Sequence, residues 1–175
     1  MKYKKIDKNL FIKNRNNFKT KLDPNSVAFF NSNDIYPISA DSTLPFEQHR
    51  DIFYLSGIDQ EESILVLFPD SINENHKEIL FIRETNNHIV HWEGEKLTKP
   101  GAFEISGIKN VHWLSEFDEI LSKVLKEADH VYINTNEHYR QNVQTQTRED
   151  RFIEKLKNFG SLNFKKSNPI LQYQR

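Results

Sequence analysis

Short runs of aliphatic and aromatic residues alternate along the chain with segments of helical periodicity, and this alternation restricts the possible folds more than any other feature. Runs bounded by turn-forming residues are typical of strands. They predict strands at residues 26–30, 63–68, 78–82, 88–92, 110–113 and 131–133. The second, third and fourth follow one another closely and suggest an antiparallel meander. Helical segments precede, separate and follow the strands, which predicts an α/β fold with a mixed β-sheet flanked by helices.

Three segments have the apolar spacing of amphipathic helices. Asp7 is a candidate cap for the first, whose apolar side chains share one side while its basic side chains form the exposed face. The apolar set is Leu10, Phe11, Phe18 and Leu22, and the basic set is Lys8, Lys13, Arg15, Lys19 and Lys21. Ser115 and Asp118 predict a capping box for the second helix, at 115–128, and residues 147–159 predict a third that Gly160 closes.

Residues 31–51 lack periodicity and contain Pro37 and Pro45 together with several turn formers. They predict a long ordered loop, and loops of this length in compact domains are usually functional or disordered. Residues 51–57, at the end of this segment, are too aromatic for a linker.

Composition excludes several classes of function. The chain has 24 Lys and Arg against 25 Asp and Glu, so its net charge of −1 gives no general field for binding nucleic acid or an anionic membrane. The absence of Cys excludes disulfides, thiolate metal ligands and a Cys nucleophile. The longest unbroken apolar run, residues 64–68, is far shorter than a membrane span. Because residues 1–7 are charged where a signal peptide would be apolar, a cytoplasmic location is expected.

Sequence motifs of common active sites are missing. The five glycines are not spaced as a dinucleotide-binding loop or a P-loop, and neither Gly-x-Ser-x-Gly nor His-Glu-x-x-His occurs. His88 and His91 are the most metal-like pair, but a strand at 88–92 would point them to opposite sides, which favours a structural role. The remaining histidines, His49, His76, His112, His130 and His138, have no ligand-like spacing.

Two further features each allow two interpretations. Asp59, Glu61 and Glu62 could serve acid–base or metal chemistry, although acidic residues before a strand are more often a solvated turn. Trp92 closes a predicted strand, where a large ring can line a pocket or an interface, or can pack in the core. The residues alone therefore indicate a soluble α/β domain without a complete catalytic site.

Five sequence blocks, taken in their order and spacing, carry a resemblance to a known family. They are Ser-Ala-Asp-Ser at 39–42, Pro-Phe-Glu-Gln at 45–48, Asp-Ile-Phe-Tyr-Leu-Ser-Gly at 51–57, Glu-Ser-Ile-Leu-Val-Leu at 62–67 and Trp-Glu-Gly-Glu-Lys-Leu at 92–97. Together they resemble the N-terminal domain of aminopeptidase P, also called Xaa-Pro aminopeptidase. The resemblance implies an α/β fold with a ribonuclease-H-like mixed sheet, similar to the N-terminal domains of creatinase and prolidase.

The resemblance implies that residues 1–175 form a single non-catalytic N-terminal domain. In the family, a separate C-terminal pita-bread domain binds two divalent metal ions, typically Mn²⁺, and none of its ligand motifs occurs here. The parent protein is expected to be a hydrolase that releases the N-terminal residue from peptides with proline second. This chain alone is expected to be inactive and to hold no catalytic residue, metal or cofactor.

The same resemblance implies partners and site residues. The domain would contact its own C-terminal catalytic domain, form homo-oligomer contacts and narrow the entrance for proline-containing peptides. Asp41 and Trp92 match family positions that reach a catalytic site in the assembled oligomer. Asp41 would meet the amino terminus of the peptide, or would merely cap a loop, and Trp92 would wall the pocket. Residues 47–51 depart from the family pattern, so no family role is carried over to them.

Two other functions are compatible with the same architecture. A stand-alone peptide- or protein-binding module is the main alternative, because creatinase-like domains also occur in catalytically silent proteins such as a histone chaperone subunit. A nuclease on a ribonuclease-H-like sheet would need clustered carboxylates around Mg²⁺, and the acidic residues here are scattered.

Overall fold

The computed structural model describes residues 6–135, 146–160 and 162–174. The strands in these ranges are β1 (Ser26–Asn31), β2 (Pro37–Ser39), β3 (Ser42–Thr43), β4 (Ile64–Leu67), β5 (Glu78–Ile82), β6 (Asn110–Trp113), β7 (His130–Ile133) and β8 (Asn163–Lys166). The α-helices are α1 (Lys8–Lys19), α2 (Arg50–Ser56), α3 (Asn87–Glu93), α4 (Lys99–Ser106), α5 (Phe117–Glu127), α6 (Arg148–Lys157) and α7 (Asn168–Gln172).

One mixed sheet organises the fold, with strand order β6-β5-β4-β1-β7-β8, and β2 and β3 pair in a separate hairpin. β4 is antiparallel to its neighbours β1 and β5, whereas the β1–β7, β7–β8 and β5–β6 pairs are parallel. Five strands therefore end at the same edge of the sheet, and β4 begins there. We call this edge the carboxyl edge.

Helices cover both faces of the sheet. On one face, the rings of Phe18 in α1 and Phe30 in β1 pack edge to face, 5.3 Å apart, and Ala102 brings α4 into the same core. On the other face, Phe152 of α6 lies 5.2 Å from Phe29, the preceding residue of β1. Successive residues of a strand point to opposite faces, and helices cover both faces of the sheet at β1. Every residue of β1 is therefore buried, which explains its apolar run.

The predicted α/β fold with a mixed sheet flanked by helices is confirmed. Five of the six predicted strands are present, at β1, β4, β5, β6 and β7. The strand predicted at 88–92 is wrong, because these residues form α3, whose start is capped by the side chain of Asn86 accepting from Ile89 N at 3.0 Å. The antiparallel meander is correct only for β4 and β5, since the next neighbour, β6, is parallel and follows α3 and α4. The prediction also missed β2, β3, β8, α2, α4 and α7.

The first predicted helix is present as α1, and Asp7 caps it by accepting a 2.9 Å hydrogen bond from Asn9 N. Its predicted faces are partly wrong. Leu10 is exposed, and Arg15, assigned to the exposed face, has a side chain only 1% exposed. Arg15 is buried because its guanidinium finds acceptors in three other elements, a relationship that helical spacing does not reveal.

The other two predicted helices begin and end close to their expected positions. Ser115 does not cap α5, because a 3₁₀ turn at Leu114–Glu116 precedes it and the Glu116 carboxylate accepts from Trp113 N at 2.9 Å. Thr147 caps α6 as part of a capping box with Asp150.

Residues 31–51 are not one continuous loop. They end β1, form the β2–β3 hairpin and begin α2. The aromatic segment at 51–57 forms most of α2, which ends at Gly57 with φ of 71°, a left-handed conformation that favours glycine.

Candidate functional site

The carboxyl edge gathers charged and polar side chains from separate parts of the sequence. Asp34 follows β1, Glu61 and Glu62 precede β4, Arg83 follows β5, and Arg148 begins α6. In the described ranges, two structures project from this edge: the β2–β3 hairpin, which follows β1, and α3, which follows β5. The two predicted site residues lie one on each projection, Asp41 on the hairpin and Trp92 on α3.

The hairpin is short, separate from the main sheet and apolar on its surface. Its exposed large side chains are Ile35, Tyr36, Ile38 and Leu44, with exposures between 39% and 60%. An isolated two-stranded hairpin is marginally stable in water at best. A cluster of exposed apolar side chains on such an element is typical of an interaction surface.

Contacts at the base of the hairpin fix where it leaves the domain. Asn33 Nδ2 donates to Glu47 O at 2.9 Å, which joins its two ends. Asp34 accepts from Arg151 Nη2 of α6 at 2.7 Å. The base is therefore bound to the carboxyl edge while the tip extends away from it.

Asp41 lies at the tip of the hairpin, between β2 and β3, and is exposed. The residue before it, Ala40, has φ of 50°, in the left-handed region that non-glycine residues rarely adopt. Such strained residues cluster at functional sites. The tip thus presents a carboxylate in a defined turn.

Trp92 is 73% exposed near the end of α3, so the interpretation that it packs in the core is wrong. His88 and His91 do not point to opposite sides as a strand would require, because both rings lie next to the Trp92 ring, with centroid distances of 6.5 and 5.1 Å. Within the described ranges, no group of three or more His, Asp or Glu residues could hold a metal ion. His138 lies outside these ranges.

The acidic residues before β4 do not form a simple solvated turn. Arg83 extends from β5 into them, with Nε 3.2 Å from Glu62 Oε2 and Nη1 3.6 Å from Glu61 Oε1. Lys96 Nζ is 2.5 Å from the same Glu61 oxygen, and the Glu61 side chain is only 10% exposed. These residues form ion pairs whose members are up to 35 residues apart, so the sequence pattern does not reveal them.

Arg83 also forms a bidentate pair with Glu93, the last residue of α3. Its Nη1 and Nη2 donate to the two carboxylate oxygens at 2.6 and 2.8 Å. This hydrogen bonding raises the pKa of the Arg83 guanidinium and lowers the pKa of the Glu93 carboxyl. We call Glu61, Glu62, Arg83, Glu93 and Lys96 the ionic cluster.

A second polar group lies at the start of α6. Burial raises the pKa of Glu149 to about 7, and nearby Asp34 and Asp150 add to that effect while Arg148 opposes it. Glu149 Oε1 is buried and has no hydrogen-bond partner in the part of the chain that the structure describes. The sequence offered no sign of this group beyond the run of charged residues at 148–151, Arg-Glu-Asp-Arg.

A polar cleft of about 420 Å³ lies away from both projections, against α5 and β6, and its lining includes His76, His112 and Glu116. A hydrogen bond from His112 and one from Trp113 N lower the pKa of Glu116 to about 2. The cleft contains neither Asp41 nor Trp92.

The described helices include none long and apolar enough to cross a membrane.

Comparison with known proteins gives a consistent result. The family model described as the aminopeptidase P N-terminal domain matches residues 11–132. Xaa-Pro aminopeptidase 3 of Homo sapiens is 32% identical over 103 residues, which cover 58% of this chain and 20% of that protein. Xaa-Pro aminopeptidase of Escherichia coli is 29% identical over 127 residues, which cover 73% of this chain and 29% of that protein.

A solved structure from Bacillus anthracis, assigned as an aminopeptidase P, shares the fold. It superposes with a TM-score of 0.80 at 23% identity, over 92% of this chain and 38% of that chain. The chain thus spans less than a third of the two curated relatives and less than half of the structural neighbour.

Proposed function

The chain belongs to the aminopeptidase P N-terminal domain family, as its sequence blocks indicated, and from this premise we propose that it is the non-catalytic domain of a metal-dependent Xaa-Pro aminopeptidase. The parent protein would release the N-terminal residue from peptides with proline second. This domain would contact the catalytic domain, support homo-oligomer contacts and restrict access to the active site. A cytoplasmic location is part of the proposal.

The metal ions belong to the catalytic domain in this proposal. No group of three His, Asp or Glu residues in the described ranges fits a metal, and the chain has no Cys. Two divalent ions, Mn²⁺ as the family implies, would activate water and polarise the scissile carbonyl when bound there. The residues of this chain would act by binding and positioning the peptide.

One observation carries the proposal: the two projections of the carboxyl edge expose groups that could recognise a peptide. The hairpin exposes apolar side chains around the Asp41 carboxylate, and Trp92 exposes 73% of its surface on α3. A carboxylate can attract the ammonium group at the amino terminus of a peptide. An exposed indole can supply an apolar wall beside it.

Restriction of access follows from the same arrangement. If the hairpin and α3 lie beside the entrance to the active site of the catalytic domain, they would narrow it. Only short peptides would then reach the active site. The exposed apolar surface of Ile35, Tyr36, Ile38 and Leu44 would be covered by the catalytic domain or by a second copy of the protein.

The first test compares the 175-residue chain with the full-length product of its gene in Mn²⁺-supplemented hydrolysis of a short Xaa-Pro peptide. Activity in the longer protein alone is expected. Activity in neither would favour the alternative, a stand-alone peptide- or protein-binding module, and a gene that ends at this chain would have the same meaning.

The second test addresses the site residues in the full-length protein. Asp41→Asn and Trp92→Ala are each expected to lower kcat/KM about tenfold. Asp41→Asn would lose a charge-assisted hydrogen bond to the amino terminus of the peptide, and Trp92→Ala would lose the apolar contact of the indole with the substrate. Glu104→Gln is the matched control, because Glu104 is exposed and its ion pair with Lys8, at 3.6 Å, lies away from both projections. If both site variants match the control, these residues do not contact substrate.

A further inference from the structure

The helix that carries Trp92 has no fully buried apolar residue, and Ile89 is its one half-buried residue. α3 has seven residues, all described by the structure, and none of them is buried. Helices this short are not stable by themselves in water, and most helical stability in proteins comes from packing of an apolar face. Apolar burial therefore contributes little to keeping α3 in place at the carboxyl edge.

The ionic cluster supplies this anchor at the end of the helix. Arg83 directs both terminal nitrogens to the Glu93 carboxylate at 2.6 and 2.8 Å, and Glu93 is the residue next to Trp92. A planar guanidinium that binds both oxygens fixes the direction as well as the distance of its partner, which a lysine ammonium does not.

The anchor is itself attached to the sheet. Arg83 directly follows Ile82, a fully buried residue of β5, so its backbone cannot move independently of the core. Its side chain also contacts Glu61 and Glu62, which lead into β4, the strand paired with β5. Both strands thereby hold the guanidinium that binds α3.

The segment after α3 is held in the same way. Lys96 Nζ contacts Glu61 at 2.5 Å, and Leu97 N donates to the side-chain oxygen of Gln60 at 2.6 Å. Residues 60–62 are therefore in contact with Arg83, which precedes Trp92 in the sequence, and with Lys96 and Leu97, which follow it. The segment between Arg83 and Leu97 is bound to the sheet by polar contacts at each end.

We propose that Arg83 is the positioning residue for Trp92, acting through Glu93 to fix α3 at the carboxyl edge. The functional importance of this positioning rests on the proposed function, in which Trp92 walls the substrate entrance. The structural part of the inference concerns only this chain. It predicts that the mobility of Trp92 depends on the ionic cluster and on salt.

Trp92 can be observed separately because the chain has two tryptophans. In a Trp113→Phe background, time-resolved fluorescence anisotropy reports Trp92 alone, and amide hydrogen exchange reports residues 88–93. Arg83→Gln is expected to increase the local motion of Trp92 and to speed amide exchange in this segment about tenfold, the loss of one charge-assisted contact. Arg83→Lys should give part of this effect, and Glu104→Gln should give none.

Salt and charge exchange test the mechanism further. At 1 M salt the Debye length falls to about 3 Å, so Trp92 should become more mobile in the wild-type chain but not further in Arg83→Gln. Exchanging the two charges, with Arg83→Glu and Glu93→Arg together, should make Trp92 less mobile than it is in Arg83→Gln. Unchanged mobility in both Arg83→Gln and the exposed partner variant Glu93→Gln would overturn the proposal, and the latter decides the question if Arg83→Gln fails to fold.

Kinetics of the full-length protein separate this inference from the proposed function. If Arg83 acts through Trp92, Arg83→Gln should raise KM when it is the only substitution. In a protein that already carries Trp92→Ala, it should leave KM unchanged. If Trp92→Ala leaves kcat/KM unchanged, the proposed role of Trp92 fails while the anisotropy result stands. Additive effects of the two substitutions would show that Arg83 does not act through Trp92.

Discussion

Arg15 and Glu78 form an ion pair that ties α1 to the first residue of β5, with 3.1 Å between Arg15 Nε and Glu78 Oε2. The same guanidinium donates through Nη1 to Leu55 O at 2.9 Å and Ser106 O at 3.0 Å. These carbonyls belong to the ends of α2 and α4, where helices leave acceptors unsatisfied. One arginine thus joins three helices and a strand, and burial lowers its pKa while Glu78 opposes that effect.

Replacing Arg15 should destabilise the domain. Arg15→Met keeps an unbranched side chain of similar length but leaves two buried carbonyls without a donor, at a cost of about 1–3 kcal/mol each. We expect a loss of about 2–5 kcal/mol in the free energy of unfolding, measured by urea denaturation. Glu78→Gln should cost less, because it retains an acceptor for Arg15. Equal stability of Arg15→Met and wild type would contradict this account.

Gly57 and Gly107 provide a matched pair for backbone strain, since both end a helix in nearly the same left-handed conformation, with φ of 71° and 73° and ψ of 5° and 6°. A Cβ at Gly57 would lie 2.3 Å from the rigid Phe11 ring, whereas a Cβ at Gly107 would meet the end of the flexible Ile12 side chain at 2.7 Å. Gly57→Ala should therefore cost about 2–4 kcal/mol and Gly107→Ala about 1–2 kcal/mol in urea unfolding. Similar losses in the two variants would show that Phe11 moves aside at little cost.

The sequence predicted those elements whose burial pattern is local. β1 and β4 are buried along their whole length, so their apolar runs are visible without knowledge of the fold. The segment 88–92 was misassigned because Ile89, Val90 and Trp92 favour a strand by propensity. The contacts that decide its conformation are the cap from Asn86 and the pair between Arg83 and Glu93, which lie outside any apolar pattern.

The candidate site could be predicted only in part. The family resemblance predicted Asp41 and Trp92 as site residues, but it did not show that each lies on a separate projection or that Arg83 pairs with Glu93, the residue next to Trp92. Arg15 was placed on the wrong face because its partners lie 40, 63 and 91 residues away. One available sign was the tripeptide Ser-Gly-Ile, which occurs at 56–58 and 106–108, the ends of the two helices that Arg15 caps.

Glu116 should contribute stability that is lost in acid. Hydrogen bonds from His112 and Trp113 N lower its pKa to about 2, so its stabilising effect is present above about pH 4.5 and is lost as the pH falls towards 2. Its side chain is 39% exposed, so solvent screening limits the effect to about 1 kcal/mol. Glu116→Gln should lower the urea midpoint at pH 7 and approach wild type near pH 2. An equal deficit at both pH values would indicate a packing effect instead.

Glu149 should have the opposite pH dependence. Burial raises its pKa from 4.5 to about 7, so the folded state binds a proton more tightly than the unfolded state, and stability falls as the pH rises from about 4.5 to 7. Glu149→Gln removes this titration and should be more stable than wild type above pH 7, by at most about 3 kcal/mol, and equal to it near pH 4. Urea unfolding of both proteins across pH 4–8 measures the difference, and parallel curves would contradict the prediction. Because the charge of Asp34 raises the pKa of Glu149, Asp34→Asn should lower that pKa. The loss of stability between pH 4.5 and 7 should then be smaller in Asp34→Asn than in the wild type.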